Sequence, residues 1–140
     1  MRVYIPVTFV GLGRASSSGA LPSSGWRAHV LPDGADTDEA EYEALRVAAA
    51  DSLAELRSEP EAPRRRAVVV ASVPEEWTEA EPDGSVLLTR RVPVERIVAV
   101  YADPAESTAA VVAALAGKQS TLASSDLLWF ARQELAELVS

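Results

Sequence analysis

Arg64-Arg65-Arg66-Ala67-Val68-Val69-Val70-Ala71 is the stretch on which the fold turns. A short, unbroken apolar run rich in β-branched residues suits a strand covered on both faces. Pro74 stops it, because proline has no N–H for a sheet ladder. Such a strand needs helices or loops around it, so the flanking sequence decides the class.

Upstream lies the clearest helix. Asp36 or Thr37 supplies an N-cap, and Asp36 with Glu39 forms an Asp-based relative of the capping box. Asp38, Glu39 and Glu41 then occupy the first turn, favourable at the positive end of the helix dipole. Tyr42, Leu45, Ala49, Leu53 and Leu56 recur at helical spacing and predict the buried stripe, and Pro60 and Pro63 end the helix. Further upstream, Arg2 to Val7 and Trp26 to Leu31 read as strands, the second closed by Pro32-Asp33-Gly34. Between them, 11–25 is rich in Gly and Ser and reads as a loop with at most a weak helix.

Downstream, residues 75–85 form an acidic connector ending in a turn at Asp83-Gly84. Val86-Leu87-Leu88 reads as a short edge strand and Ile97 to Tyr101 as a firmer one. Asp103 is placed to cap a helix with Pro104 at its first position, a buried stripe of Ala105, Thr108, Val112 and Leu115, and Gly117 at its end. A last helix is expected from Ser124 or Ser125, with Leu128, Ala131, Leu135 and Leu138 inward and Leu127 and Phe130 widening the stripe. The sum is an α/β chain, with α+β as the near alternative. We expect one globular domain over 1–140, with a small mixed sheet of four to five strands and three helices. At least one right-handed crossover is implied. A two-layer sandwich is favoured, and three layers come second.

Composition narrows function by exclusion. No Cys and a single His, His29, leave no thiolate or multi-imidazole metal site. The net charge of −8 disfavours nonspecific binding to nucleic acid or anionic membrane. No apolar run reaches the ~18 residues of a membrane span. The opening Met1 to Val10 is short, interrupted by Pro6 and strand-like, so a cytoplasmic strand is preferred to a signal peptide. Gly11-Leu12-Gly13 lacks the third glycine of a dinucleotide turn, Ser16 standing there instead, and is read as loop. The carboxylates Asp33, Asp36, Asp38, Glu39 and Glu41 lack a calcium-loop pattern and are read as a solvated, helix-capping face. Residues 32–62 hold ten acidic residues against Arg46 and Arg57, a local excess equal to the net charge of the whole chain.

Three candidates remain. Arg64, Arg65 and Arg66 with Arg90 and Arg91, joined by Arg96, would make an anion patch if their strands are neighbours. Strand-end arginines pairing with the acidic helix are the commoner outcome. His29 shares a strand face with Arg27 and Leu31, and without a nucleophile motif it reads as structural rather than catalytic. Trp129, Phe130, Arg132 and Gln133 are the candidate partner surface, since Trp and Arg are enriched at binding hot spots. No catalytic, metal or cofactor-binding residue is assigned and no cofactor is expected.

Three stretches together carry a resemblance: Arg2-Val3-Tyr4-Ile5-Pro6-Val7-Thr8, the acidic helix start from Asp38 to Leu45, and Leu127-Leu128-Trp129-Phe130-Ala131-Arg132-Gln133-Glu134-Leu135. They resemble a family of small uncharacterised proteins from high-GC Gram-positive bacteria. These begin with a VYxPxT-like strand and close with an LLW-aromatic-AxQEL helix. The resemblance implies no activity, and it implies a more helical segment after the first strand than Gly/Ser-rich 11–25 suggests. The functional expectation is a non-enzymatic cytoplasmic protein that binds a protein partner, as a homodimer or with another chain. The alternative is a small-molecule binder or small hydrolase with an arginine-lined cleft for an anionic ligand.

Overall fold

The valine run becomes a central strand with a different helix over each of its faces. In the computed structural model, which describes residues 1–21, 26–31, 37–118, 122–123 and 126–140, β1 (Arg2–Val7) and β3 (Ala67–Ser72) pair along their whole length. Side chains alternate across a strand. Val3, Ile5, Val7 and Val69 therefore enter one core with Phe9, Leu12 and Ala15 of α1 (Phe9–Ser18) and Leu135 of α4 (Leu135–Val139). Tyr4, Val68 and Val70 enter another with Ala44, Ala48 and Ala49 of α2 (Asp38–Leu56).

Among the described residues the sheet has seven strands in the order β4-β5-β2-β1-β3-β6-β7. The others are β2 (Arg27–Leu31), β4 (Thr78–Ala80), β5 (Val86–Leu88), β6 (Ile97–Ala102) and β7 (Leu128–Ala131). The α/β class is as expected, but the strands outnumber the four to five read from sequence. Every hydrogen-bonded pair is antiparallel, so the sheet is not mixed. α2 joins β2 to β3, which run the same way with antiparallel β1 between them. With helices on both faces the arrangement is three-layered and not the favoured two-layer sandwich, because the valine run buries both of its faces. The fourth α-helix, α3 (Thr108–Leu115), sits beside α2.

Three local readings are corrected. First, Phe9–Ser18 forms a helix that runs into 11–25, read as a loop with at most a weak helix. Its glycines cost helix propensity, but Phe9, Leu12 and Ala15 bury against the sheet and outweigh it. Gly19, at φ 84°, ends the helix. Second, the buried face of α2 is Ala44, Ala48, Ala49, Ser52 and Leu56, so Ala49 and Leu56 of the expected stripe are buried while Tyr42 is half exposed. Small side chains let the helix approach a valine-rich sheet closely. Ser52, fully buried, donates to the Val7 carbonyl (2.6 Å) and accepts the Ala67 N–H (3.0 Å), closing the gap between β1 and β3. Third, the C-terminal segment enters as strand β7 and turns helical only after Ala131, through a 3-10 turn at Arg132–Glu134. The exposed side of β6 supplies hydrogen bonds that a helix could not use, and Trp and Phe favour a strand.

The rest differs less. Thr37 caps α2, its side chain accepting the Ala40 N–H at 3.1 Å. Val86–Leu88 lies inside the sheet, and the edge is β4, whose hairpin turns at Gly84, φ 89°. A 3-10 turn, Ala105–Ser107, precedes α3, whose buried residue is Val111 while Val112 is exposed. Gly117 ends α3, with Lys118 N–H reaching the Ala113 carbonyl at 2.9 Å. The turn read at Pro32-Asp33-Gly34, the caps read at Asp36 and at Ser124 or Ser125, and residues 22–25 of the loop lie outside the described residues.

Candidate functional site

The arginines are held by the protein itself. Arg66 is buried, and Asp103 opposite it is fully so. Arg66 Nε and Nη2 reach the two Asp103 carboxylate oxygens, each at 2.9 Å, and the Arg66 amide adds a third bond at 2.8 Å. Asp103 was read as a helix cap; its carboxylate is committed to Arg66 instead, because a buried guanidinium needs a bidentate acceptor. Arg65 lies over the Phe9 ring at 4.1 Å and donates to the Asp103 carbonyl. Arg64 donates to the Leu56, Glu59 and Ala62 carbonyls, capping the negative end of α2.

Arg90 and Arg96 flank the Trp77 ring at 5.5 and 5.2 Å, and Arg91 donates to the Leu21 carbonyl. Ala67 pairs with Ala102 and Ala71 with Ile97, so these two arginine groups stand at opposite ends of the β3–β6 pair. That separation is roughly 15 Å along the strands. No single cleft gathers all five of Arg64, Arg65, Arg66, Arg90 and Arg91.

His29 projects from β2 toward α2, on the face expected, and its Nε2 lies 2.6 Å from Asp51 Oδ2. His29 borders a groove of about 420 Å³ between α2 and the β4–β5 hairpin, lined also by Leu31, Val47, Glu43 and Ser85. A carboxylate-oriented imidazole is half of a nucleophile-activating pair. The hydroxyl in the groove, that of Ser85, donates to Asp83 at 2.6 Å. It is therefore directed away from the role of a nucleophile. Asp51 had no signal as a partner for His29, since the two meet only through tertiary packing.

A second cleft, about 260 Å³, lies where Thr8 and Arg14 face Glu55, Glu59 and Glu61. Burial, with the nearby Glu59 and Asp51 carboxylates, pushes the Glu55 carboxyl up to about 7. Thr8 donates to Glu59 at 3.0 Å. Among the described residues no group of three or more His, Asp or Glu side chains is arranged to hold a metal ion. No helix there is long and apolar enough to cross a membrane.

The remaining candidate is the strand read as a helix. Trp129 is 57% exposed and Leu128 49%. As neighbours in a strand they project to opposite faces. Trp129 pairs with Tyr101 on the α2 side. Leu128 lines a groove of about 400 Å³ with Phe130 and Leu138 on the α4 side. Phe130 is partly buried against the core, Arg132 donates to the Glu95 carbonyl at 2.8 Å, and Gln133 is exposed. Leu128 was assigned to a buried stripe by its helical spacing, and its exposure follows from the strand geometry. Tyr101 pairs with Trp129, Tyr4 is buried further in the sheet, and burial, then Glu41, raises both phenols above their usual value.

No curated protein and no solved structure matches this chain. One family description does, across residues 1–139, which include both the strand at the start and the β7 segment. The chain belongs to DUF6912, a family of unknown function.

Proposed function

We propose that this protein is a non-catalytic cytoplasmic interaction module that engages a protein partner through β7 and the sheet face beside it. The observation that carries the reading is the exposure of Trp129 and Leu128 on one terminal strand. Covering their exposed halves is worth on the order of 4–5 kcal/mol of apolar burial. The excess negative charge supports a protein rather than a nucleic acid as the partner.

Backbone parity gives a direct test. The Asp103 N–H donates to the Arg66 carbonyl, so the pairs Val68–Tyr101 and Val70–Ala99, in the same phase, also exchange hydrogen bonds. Val100 and Ala102 then turn their backbone groups to Phe130 and Leu128, and Trp129 turns its own off the free side of β7. The Ala131 N–H points the same way and is taken by the Glu134 carboxylate at 3.0 Å. In hydrogen exchange, the free protein should show a fast Trp129 amide between slower Leu128 and Phe130 amides, and a partner should slow it. Immobilised protein should retain from its host's cytosol a partner that a folded Trp129→Ala variant does not. Equal retention by the variant overturns the reading.

A further inference from the structure

We infer that the partner of β7 is a second copy of this chain, paired antiparallel to it about a two-fold axis at Trp129, which continues the sheet across both molecules. This rests on the partner reading of β7 and names the occupant. A two-fold interface must be self-complementary, each residue meeting its symmetry mate's counterpart. The segment Asp126-Leu127-Leu128-Trp129-Phe130-Ala131-Arg132 has that property. With Trp129 opposite its own copy, Leu128 faces the partner's Phe130, Leu127 faces the partner's Ala131, and Asp126 faces the partner's Arg132. The apolar residues meet in the middle and opposite charges meet at both ends.

Backbone phase agrees with this register. The Trp129 N–H and C=O point off the free side of the strand, so the central pair exchanges two hydrogen bonds. The Glu134 carboxylate on the Ala131 N–H then limits the pairing to its centre. Moving the axis one residue toward the C-terminus would set Asp126 against the partner's Glu134, a like-charge contact. Moving it the other way sets Phe130 against the partner's Asp126. The charges at the ends are accessible: Asp126 is exposed and accepts the Ala123 N–H through Oδ2 only, and Arg132 spends Nη1 on the Glu95 carbonyl.

Both faces of the joint gain cover. On the α4 side, the groove of Leu128, Phe130 and Leu138 meets its symmetry mate. On the α2 side, the two Trp129 rings become neighbours across the axis. The sheet's other end is unsuited to self-pairing. The exposed Glu79 of β4 lies among Glu75, Glu76 and Glu81, and two copies there would repel.

Sedimentation over about 1–100 µM protein in low salt tests the inference. The wild type should show a concentration-dependent monomer–dimer equilibrium. Trp129→Ala should raise its Kd about tenfold or more. Asp126→Arg and Arg132→Asp should each weaken dimers by about tenfold, placing like charges together twice per dimer. The double variant should recover most of the loss, with circular dichroism confirming that each is folded. A wild type that stays monomeric, or a double variant no better than the singles, overturns the inference. A monomer that still captures another protein through Trp129 overturns it while leaving the partner reading intact. A dimer indifferent to Trp129→Ala removes both.

Discussion

Replacing the buried Asp103 with Ala should be strongly destabilising, because it strands a buried guanidinium. Asp103 is fully buried and its carboxylate takes all three of its bonds from Arg66, the amide at 2.8 Å and two guanidinium N–H groups at 2.9 Å. Asp103→Ala leaves that guanidinium buried with one remaining acceptor, the Ala123 carbonyl. Stranding one member of a buried ion pair costs about 3–5 kcal/mol. At about 2.1 cal/mol/K of unfolding entropy per residue, a chain of 140 residues loses roughly 3.4 °C of Tm per kcal/mol, so the drop should be about 10–17 °C. Differential scanning calorimetry reads it directly. Replacing both partners by apolar residues, Arg66→Met with Asp103→Leu, should recover most of the loss, since desolvation offsets much of what a buried pair contributes. A Tm drop of under about 3 °C for Asp103→Ala refutes the reasoning. So does a double variant as unstable as the single.

Glycine and cap positions give opposite signs. Gly13 lies inside α1 and a Cβ there meets nothing within 4 Å, so Gly13→Ala should stabilise by about 0.5–1 kcal/mol in urea unfolding. Gly84→Ala should destabilise by about 1–2 kcal/mol, because its φ of 89° is strained for a side chain however open the space. Thr37→Ala removes the cap on α2 and should cost about 1 kcal/mol. Glu55 sets a pH dependence. Its folded carboxyl, raised to about 7, holds a proton that the unfolded chain releases near 4.5. Its contribution is therefore full below about 4.5 and declines as pH rises through 7. With partial solvent screening the decline amounts to about 1–2 kcal/mol. Glu55→Gln should match the wild type near pH 4.5 and exceed it by that amount at pH 8 in chemical denaturation. Equal slopes for both proteins would show that Glu55 titrates normally.

Elements whose preferences are local were legible in the residues alone. The β-branched runs of β1, β3 and β6 read directly as strands, because adjacent residues alone specify an extended, buried chain. α2 was equally legible from Thr37, its acidic first turn and Pro60. Trp129 was recognisable as a binding type of residue. Tertiary structure decided the rest wherever two local readings were close in energy. Leu128 to Ala131 fits a helical stripe or a strand, and the open side of β6, distant in sequence, makes the choice. Phe9 to Ser18 has poor helix formers, and burial of Phe9 and Leu12 against the sheet overrides them. The same holds for side-chain partners. Arg66 with Asp103, and His29 with Asp51, are joined by no spacing rule, and only the fold puts those charges together. The candidate surface on β7 belongs to both accounts: its residue types are written in the chain, while their exposure and the direction of the Trp129 backbone are consequences of strand pairing.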